Sequence, residues 1–254
     1  MTGAPDRRLR LEGVYNLRDL GGLPTEAGSA TRSGRIFRSD SLQSVTPAGA
    51  AMLHNTLGIR SLVDLRGAEE VMCEGRGLLA ERAVRYVNLP IVQEDGTLVS
   101  FLDDGRTVDL VPRYLSYLES PGDALVRAIE LLSEAETTPT VFFCAAGKDR
   151  TGVLAALVLR LVGVTREAVV GDYLLSAESA ELILRERLMP SRAYAHNVAT
   201  LPLEVYTANA STMARFLGAL EERYGGAEGW ALQKGLTPDV LTRLRVVLLG
   251  GDEP

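Results

Sequence analysis

Short apolar runs alternate with segments of helical periodicity through the first two thirds of the chain. These runs hold apolar or β-branched residues between turn residues, a pattern typical of strands. They predict strands at residues 35–39, 59–66, 83–90 and 140–144. The last run, TVFFC, is apolar throughout, which favours a central strand covered on both faces.

Helical periodicity predicts helices between these strands and helices alone after the last strand. Thr46 and Pro47 form a helix start, and Gly58 is a natural stop. The predicted helices cover residues 47–58, 68–82, 108–119, 123–136, 151–162, 165–175, 177–188, 208–224 and 237–249. Residues 92–106 are polar and acidic with two glycines, which predicts a loop.

Strands separated by helices predict an α/β fold with a mostly parallel central sheet covered by helices. The C-terminal part is predicted to be helical and to pack on the same sheet. A length of 254 residues fits one large domain, so we expect a single domain over residues 1–254.

Composition narrows the classes of function. The net charge of −6 argues against a nucleic-acid partner, and no apolar run is long enough for an integral membrane segment. Cys73 and Cys144 cannot form a disulfide framework, and with two histidines they lack zinc-site spacing. We therefore expect a cytoplasmic protein without a metal or another cofactor. The sequence leaves the oligomeric state open.

The loop after the predicted central strand carries the candidate chemistry. Cys144 ends the strand, and open α/β sheets bind ligands at that edge. Small residues and a glycine then let backbone N–H groups converge on an anion, beside the positive end of the next helix. The loop residues are Ala145, Ala146, Gly147, Lys148, Asp149, Arg150 and Thr151.

These residues suit phosphoryl transfer to sulfur. A helix N-terminus and nearby cations favour a thiolate, so Cys144 is the predicted nucleophile. Arg150 can grip two phosphate oxygens with its planar fork. Thr151 can donate its hydroxyl to the sulfur when the sulfur leaves. Water would then hydrolyse the phosphocysteine, and no metal is required.

The loop CAAGKDRTG resembles the C-x5-R-[ST] signature of cysteine-dependent protein tyrosine phosphatases. Its GKDRTG form is similar to a bacterial branch of lipid and protein phosphatases. The segments GVYNLRDLGG, GRIFRSDSL, LGIRSLVDLR and the C-terminal GWALQKGLTPDVLTRLRVVLLG resemble blocks of that branch. The resemblance implies a tyrosine-phosphatase-like fold and hydrolysis of phosphate monoesters. It also implies that Lys148 and Asp149 help to recognise substrate charge.

Two features depart from this resemblance. Phe143 stands where the family usually has a histidine that orients the loop, so we predict slower turnover than in relatives with histidine. The general acid is ambiguous. Asp149 competes with Glu94 and Asp95, which follow the strand ending in LP, while the nearest aligned position is Gln93. Asp64 and Asp103 also stay open as candidates.

The resemblance makes a phosphotyrosine protein the default substrate. The alternatives are a small phosphorylated metabolite or a phosphoinositide. A phospho-ligand binding module with weak or no activity is the alternative of another class, because of Phe143. A sulfurtransferase that carries sulfur on Cys144 is a third reading.

Several charged residues have plain structural readings. Arg18 and Asp19 are predicted to form an ion pair that braces the sheet. Arg38 and Arg66 are also assigned to the scaffold.

Overall fold

A five-stranded sheet forms the centre of the fold. The computed structural model describes residues 6–91, 102–103 and 107–250. The strands in chain order are β1 (Arg18–Asp19), β2 (Ile36–Ser39), β3 (Ser61–Asp64), β4 (Arg85–Asn88), β5 (Leu102–Asp103), β6 (Thr107–Val108) and β7 (Thr140–Phe143). In the sheet they follow the order β1-β2-β7-β3-β4. Only β1 runs antiparallel to its neighbour within that sheet, and β5 and β6 form a separate antiparallel pair.

Helices cover the sheet and make up most of the C-terminal part. The α-helices are α1 (Pro47–Ala51), α2 (Ala68–Glu74), α3 (Val111–Tyr117), α4 (Ala124–Ser133), α5 (Asp149–Leu161), α6 (Arg166–Leu174), α7 (Ala180–Ile183), α8 (Ala195–Thr200), α9 (Ala210–Tyr224), α10 (Gly226–Gln233) and α11 (Pro238–Leu249). Short 3₁₀ or π segments follow several of them. Met52–Thr56 and Leu184–Leu188 continue α1 and α7 directly, whereas Gly77–Glu81 is separated from α2.

The predicted fold class is confirmed, and each predicted strand contains an observed one. The predicted helix over residues 68–82 is too long, because α2 ends at Glu74. Gly75 and Gly77 follow with positive φ angles of 70° and 58°, which interrupt the helical backbone. The sequence pattern did not predict β1, β5, β6, α8 or α10. Strand β5 falls within the predicted loop over residues 92–106, most of which lies outside the described residues.

Strand β7 lies between β2 and β3, which confirms the central position predicted for TVFFC. All four of its residues are buried. Its side chains alternate between two apolar layers. Phe142 joins the large cluster that includes α3, α4, α5 and α9, whereas Val141 and Phe143 join a smaller cluster on the other face. A strand covered on both faces requires the continuous apolar run seen in the sequence.

The parallel register brings three strand ends to one edge of the sheet. Ser39 of β2 and Asp64 of β3 both pair with Phe143 of β7. The residues that follow each strand, including Asp40 and Cys144, therefore meet at this edge. The candidate site is built here.

Candidate active site

The loop from Cys144 to Lys148 joins β7 to the start of α5, as the sequence predicts. Groups outside the loop bind its carbonyl oxygens. Ser41 N–H donates to the Ala145 carbonyl at 3.1 Å, and Asn16 Nδ2 donates to the Ala146 carbonyl at 3.0 Å. Arg38 Nη2 donates to the Gly147 carbonyl at 2.7 Å.

In a trans peptide the N–H points opposite to the C=O. Since these three carbonyls point towards the supporting groups, the N–H groups of Ala146, Gly147 and Lys148 point the other way. Of these residues, Ala146 and Lys148 line a cavity over the loop. The loop backbone therefore turns a set of donors towards that cavity, which is the arrangement that binds an anion.

Gly147 allows the loop to lie directly on the end of β2. Its φ is +68°, in the left-handed region that disfavours other residues. A β-carbon at this position would lie 2.5 Å from the Ser39 carbonyl oxygen and 2.6 Å from the Asp40 amide nitrogen. Any side chain here would push the loop off the sheet edge.

Arg150, in the first turn of α5, is held by a carboxylate from α2. Its Nη1 and Nη2 bind Glu70 Oε2 and Oε1 at 2.5 and 2.6 Å. Nη1 also donates to the Leu65 carbonyl at 3.4 Å. Because Glu70 takes the edge formed by the two terminal nitrogens, the edge formed by Nε and Nη2 is left for an oxyanion.

The charges of this pair stabilise each other. Burial disfavours the Arg150 cation, but Glu70 and the nearby Cys144 outweigh burial and raise the pKa of Arg150 well above its usual value. Burial also disfavours the Glu70 anion, yet Arg150 lowers the pKa of that carboxyl to about 2. Two further donors reach Glu70: Gly67 N–H at 2.6 Å and the Tyr194 hydroxyl at 2.5 Å.

Lys148 and Asp149 form a second ion pair next to the loop. The distance from Lys148 Nζ to Asp149 Oδ1 is 2.7 Å, and the Tyr114 hydroxyl donates to the same oxygen at 2.6 Å. Burial opposes ionisation of Asp149, but Lys148 and Arg113 outweigh it and lower the pKa of the carboxyl. The Lys148 side chain is only 3% exposed, so it is not a solvated surface charge.

Behind the loop, three arginines converge on Asp172 of α6. Arg7, Arg18 and Arg38 reach its carboxylate at 2.8, 3.1 and 2.7 Å. The predicted Arg18–Asp19 ion pair is therefore wrong, because Arg18 turns to Asp172 while Asp19 accepts the backbone N–H groups of Gly21 and Gly34.

This cluster supports the loop directly. Arg38 binds both Asp172 and the Gly147 carbonyl, so a scaffold residue fixes the loop backbone. Asn16, which binds the preceding carbonyl of Ala146, also donates to Ser176 Oγ at 3.2 Å. Its own backbone N–H donates to Asp40 Oδ1 at 2.9 Å.

A cavity of about 480 Å³ lies over the loop. Its floor includes Cys144, Lys148, Asp149 and Arg150. Residues 180–206, which we call the roof, supply much of its apolar wall. The roof residues that line it are Ala180, Ile183, Leu188, Ala193, Tyr194, Asn197, Leu201, Val205 and Tyr206.

The roof packs directly on the loop. Ala145 forms a small apolar cluster with Ile183 and Leu188, and Ala146 packs against this cluster. The two loop alanines therefore have a second use besides leaving space for a ligand. They are the surface on which the roof rests.

Thr151 and Phe143 flank the loop on its helix side and its strand side. The Thr151 hydroxyl is buried and has no hydrogen-bond partner among the described residues, so its hydrogen is available to a group in the site. Phe143 is buried in the smaller apolar cluster, and the Arg66 guanidinium lies 5.6 Å from its ring centroid.

The structure thus brings together every predicted residue from Cys144 to Thr151. Glu94 and Asp95, the competing general acids, lie outside the described residues. Sequence reasoning missed the groups that hold the loop from elsewhere in the chain. These groups are Asn16, Glu70, Asp172 and Tyr194. Of these residues, only Asn16 lies in one of the segments that resemble the family, GVYNLRDLGG, and no sequence pattern there indicates its role.

Relatives of this chain include known phosphatases. It is 30% identical over 280 residues to the triple specificity protein phosphatase PtpB of Mycobacterium tuberculosis, covering 94% of this chain and 98% of PtpB. It is 25% identical over 197 residues to a tyrosine-protein phosphatase of Nostoc commune, covering 76% and 67% of the two chains.

Among solved structures, TpbA of P. aeruginosa in complex with pTyr aligns with a TM-score of 0.39 and 16% identity, covering 84% of this chain and 98% of that chain. The catalytic core of Siw14 aligns with a TM-score of 0.38 and 16% identity, covering 72% and 86%. A family model described as the tyrosine phosphatase family matches residues 9–250. This chain therefore belongs to the tyrosine phosphatase family.

Proposed function

We propose that this phosphatase hydrolyses phosphate monoesters through a phosphocysteine on Cys144. The observation that carries the proposal is the loop itself. Its carbonyls are bound from behind, its N–H groups point towards the cavity, and the open edge of Arg150 belongs to the same site. Such a preorganised set of donors stabilises the equatorial oxygens of a phosphoryl group in transfer.

The reaction has two steps. In the first, the Cys144 thiolate attacks phosphorus, the P–O bond to the alcohol breaks, and the leaving oxygen takes a proton from a general acid. In the second, water attacks phosphorus, loses its proton to a base and displaces the sulfur. The Thr151 hydroxyl, which has no partner among the described residues, donates to the departing sulfur.

We assign the general acid to Asp149. Lys148 and Arg113 keep this carboxyl charged in the free protein. A bound phosphate dianion adds negative charge next to it, which favours the protonated form. Asp149→Asn should therefore lower kcat/KM at least about tenfold more for phenyl phosphate than for p-nitrophenyl phosphate. Equal losses on both substrates would shift the role to Glu94 or Asp95.

A phosphotyrosine protein is the proposed substrate. The cavity is much larger than a phosphate needs. Its apolar wall, which includes Tyr117 of α3 and the roof residues Tyr194 and Tyr206, suits an aromatic ring. A phosphoinositide or a small phosphorylated metabolite remains the alternative.

None of the helices in the described part of the chain has the length and apolar character needed to cross a membrane. We further propose that residues 1–254 act as one domain in the cytoplasm, where its free thiols stay reduced.

The test compares wild type with Cys144→Ser on p-nitrophenyl phosphate and on a panel of phosphopeptides, phosphoinositides and sugar phosphates. We expect wild type to turn over and to be inhibited by vanadate. The serine variant should lose turnover by at least about 10³-fold while still binding a phosphopeptide. Tight phospho-ligand binding without turnover in wild type would identify a binding module instead. Retained activity in Cys144→Ser would refute the mechanism.

A further inference from the structure

A chain of hydrogen bonds connects the roof to Arg150. The Tyr194 hydroxyl donates to Glu70 Oε1 at 2.5 Å. The same oxygen accepts Arg150 Nη2 at 2.6 Å. Nη2 is also one of the two nitrogens on the edge of Arg150 left for an oxyanion. Tyr194 therefore acts on the Glu70 oxygen that sets the position of the phosphate-binding nitrogen.

A second hydrogen bond between the roof and α2 holds Tyr194 in place next to Glu70. Ser191 Oγ donates to Glu74 Oε1 at 2.5 Å, one helical turn along α2 from Glu70. The roof thus forms hydrogen bonds with two carboxylates of α2. These carboxylates are four residues apart and therefore lie on the same face of the helix. Two anchoring points restrict both the position and the tilt of the roof relative to α2.

The environment makes the Tyr194 bond effective. The side chains of Arg150 and Glu70 are only 13% and 18% exposed, so water competes weakly with the ion pair. Burial and the neighbouring Glu70 anion raise the pKa of Tyr194 well above its usual value. The Tyr194 hydroxyl therefore stays protonated at neutral pH and remains a hydrogen-bond donor. A hydrogen bond to a charged acceptor is stronger than one between neutral groups.

We propose that Tyr194 is a positioning residue for phosphate binding, which acts through Glu70 on Arg150. The proposal rests on the phosphatase function proposed above and adds a residue of the roof to it. Its consequence is that the roof belongs to the phosphate site as well as to the apolar wall. A substrate packed against the roof and the phosphate gripped by Arg150 are then held by one connected structure.

The test uses Tyr194→Phe, which removes the hydroxyl and keeps the ring. We expect tungstate affinity and kcat/KM to fall by about three- to tenfold. The fall in kcat/KM should be the same for p-nitrophenyl phosphate and phenyl phosphate, since binding of the phosphoryl group by Arg150 does not depend on the leaving group. A larger loss on phenyl phosphate would make Tyr194 part of proton transfer instead and would overturn the proposal.

A double-mutant cycle with Glu70→Gln tests the route through Glu70. If Tyr194 acts through that carboxylate, Tyr194→Phe should have little further effect in the Glu70→Gln background. Equal effects in both backgrounds would show a direct or general structural role and would refute the proposal.

Tyr224→Phe is the matched control. The Tyr224 hydroxyl also donates to a glutamate, Glu119 Oε1, at 2.7 Å, but this pair lies outside the cavity lining. We expect its tungstate affinity to equal that of wild type. Absence of all turnover in wild type would defeat the proposed function. An unchanged tungstate affinity in Tyr194→Phe would defeat only this inference.

Discussion

Phe143 lies one residue before Cys144, the proposed nucleophile, yet its side chain faces away from the site. The chain alternates at this point, so Cys144 joins the large cluster and Phe143 the smaller one. The Arg66 guanidinium near its ring is already paired with Asp64 at 2.6 Å. A histidine at this position would therefore enter an apolar layer beside a cation whose charge is balanced.

Phe143→His is expected to change reactivity and stability in opposite directions. The family resemblance implies that a histidine here orients the loop, and on that basis the substitution should speed alkylation of Cys144 by iodoacetamide at neutral pH. Burying a polar ring in the apolar cluster should lower the free energy of unfolding by about 1–3 kcal/mol. The measurements are labelling kinetics and urea unfolding.

The labelling experiment needs a Cys73→Ser background, because Cys73 is an exposed free thiol that would also react. Cys144→Ser in that background measures the residual signal. Alkylation no faster in Phe143→His than in its parent would contradict the predicted link between Phe143 and slow turnover.

At the scale of elements, Asp172 shows how α6 holds the sheet edge and the loop together. It binds Arg18 of β1, Arg38 of β2 and Arg7 of the N-terminal segment. Burial opposes its charge, but Arg18 and Arg38 outweigh burial and hold the pKa of Asp172 well below its usual range. Three cations share one buried anion, so removal of that anion leaves them uncompensated.

Asp172→Asn should lower the free energy of unfolding at pH 7 by about 3–5 kcal/mol. A carboxyl with a lowered pKa in the folded state stabilises the fold above its unfolded pKa, near 3.8, and loses this effect as the pH falls through the folded value. The gap between wild type and variant should therefore be constant from pH 7 to about 5 and shrink below about 3.8. Urea midpoints at several pH values measure it.

Asp239→Asn provides the comparison, since Asp239 forms an exposed i,i+4 pair with Arg243. Asp239→Asn should change the free energy of unfolding by no more than about 0.5 kcal/mol. If the difference in the free energy of unfolding between wild type and Asp172→Asn grew towards low pH, the carboxylate would not be the stabilising form of Asp172.

At the scale of the whole molecule, the site is assembled from parts distant in sequence. The loop rests on β2, receives hydrogen bonds from residues 16, 38 and 41, and is covered by the roof. Occupation of the anion site should therefore stabilise the fold as a unit. A ligand that binds only the folded state stabilises it by RT ln(1 + [L]/Kd).

Tungstate at about one hundred times its Kd should add about 2.7 kcal/mol and raise Tm by about 5–10 °C. Gly147→Ala should abolish this shift, because its β-carbon would lie 2.5 Å from the Ser39 carbonyl. Gly163→Ala is the matched control. Gly163 has a similar φ of +80°, but a β-carbon there would meet no atom of the described residues within 4 Å. The variant should therefore lose only stability and keep the tungstate shift. A full shift in Gly147→Ala would show that the anion binds elsewhere.

The sequence by itself determined the α/β class, the places of β2, β3, β4 and β7 along the chain, and the contiguous loop from Cys144 to Thr151. Local periodicity specifies strands and helices, and the chemistry of the loop depends on residues that are neighbours in the chain. Even so, α2 is shorter than the periodicity predicts, because Gly75 and Gly77 adopt positive φ angles that end the helix at Glu74.

Only the tertiary structure decided which polar groups hold that loop. Asn16, Glu70, Asp172 and Tyr194 lie far from the loop in sequence, and a single polar residue carries no periodic signal. Their partners follow from the strand register and helix packing, which bring the three strand ends, α2, α6 and the roof to one place. Arg18 was assigned to Asp19 because they are adjacent in sequence, whereas folding gave it a buried anion 154 residues away.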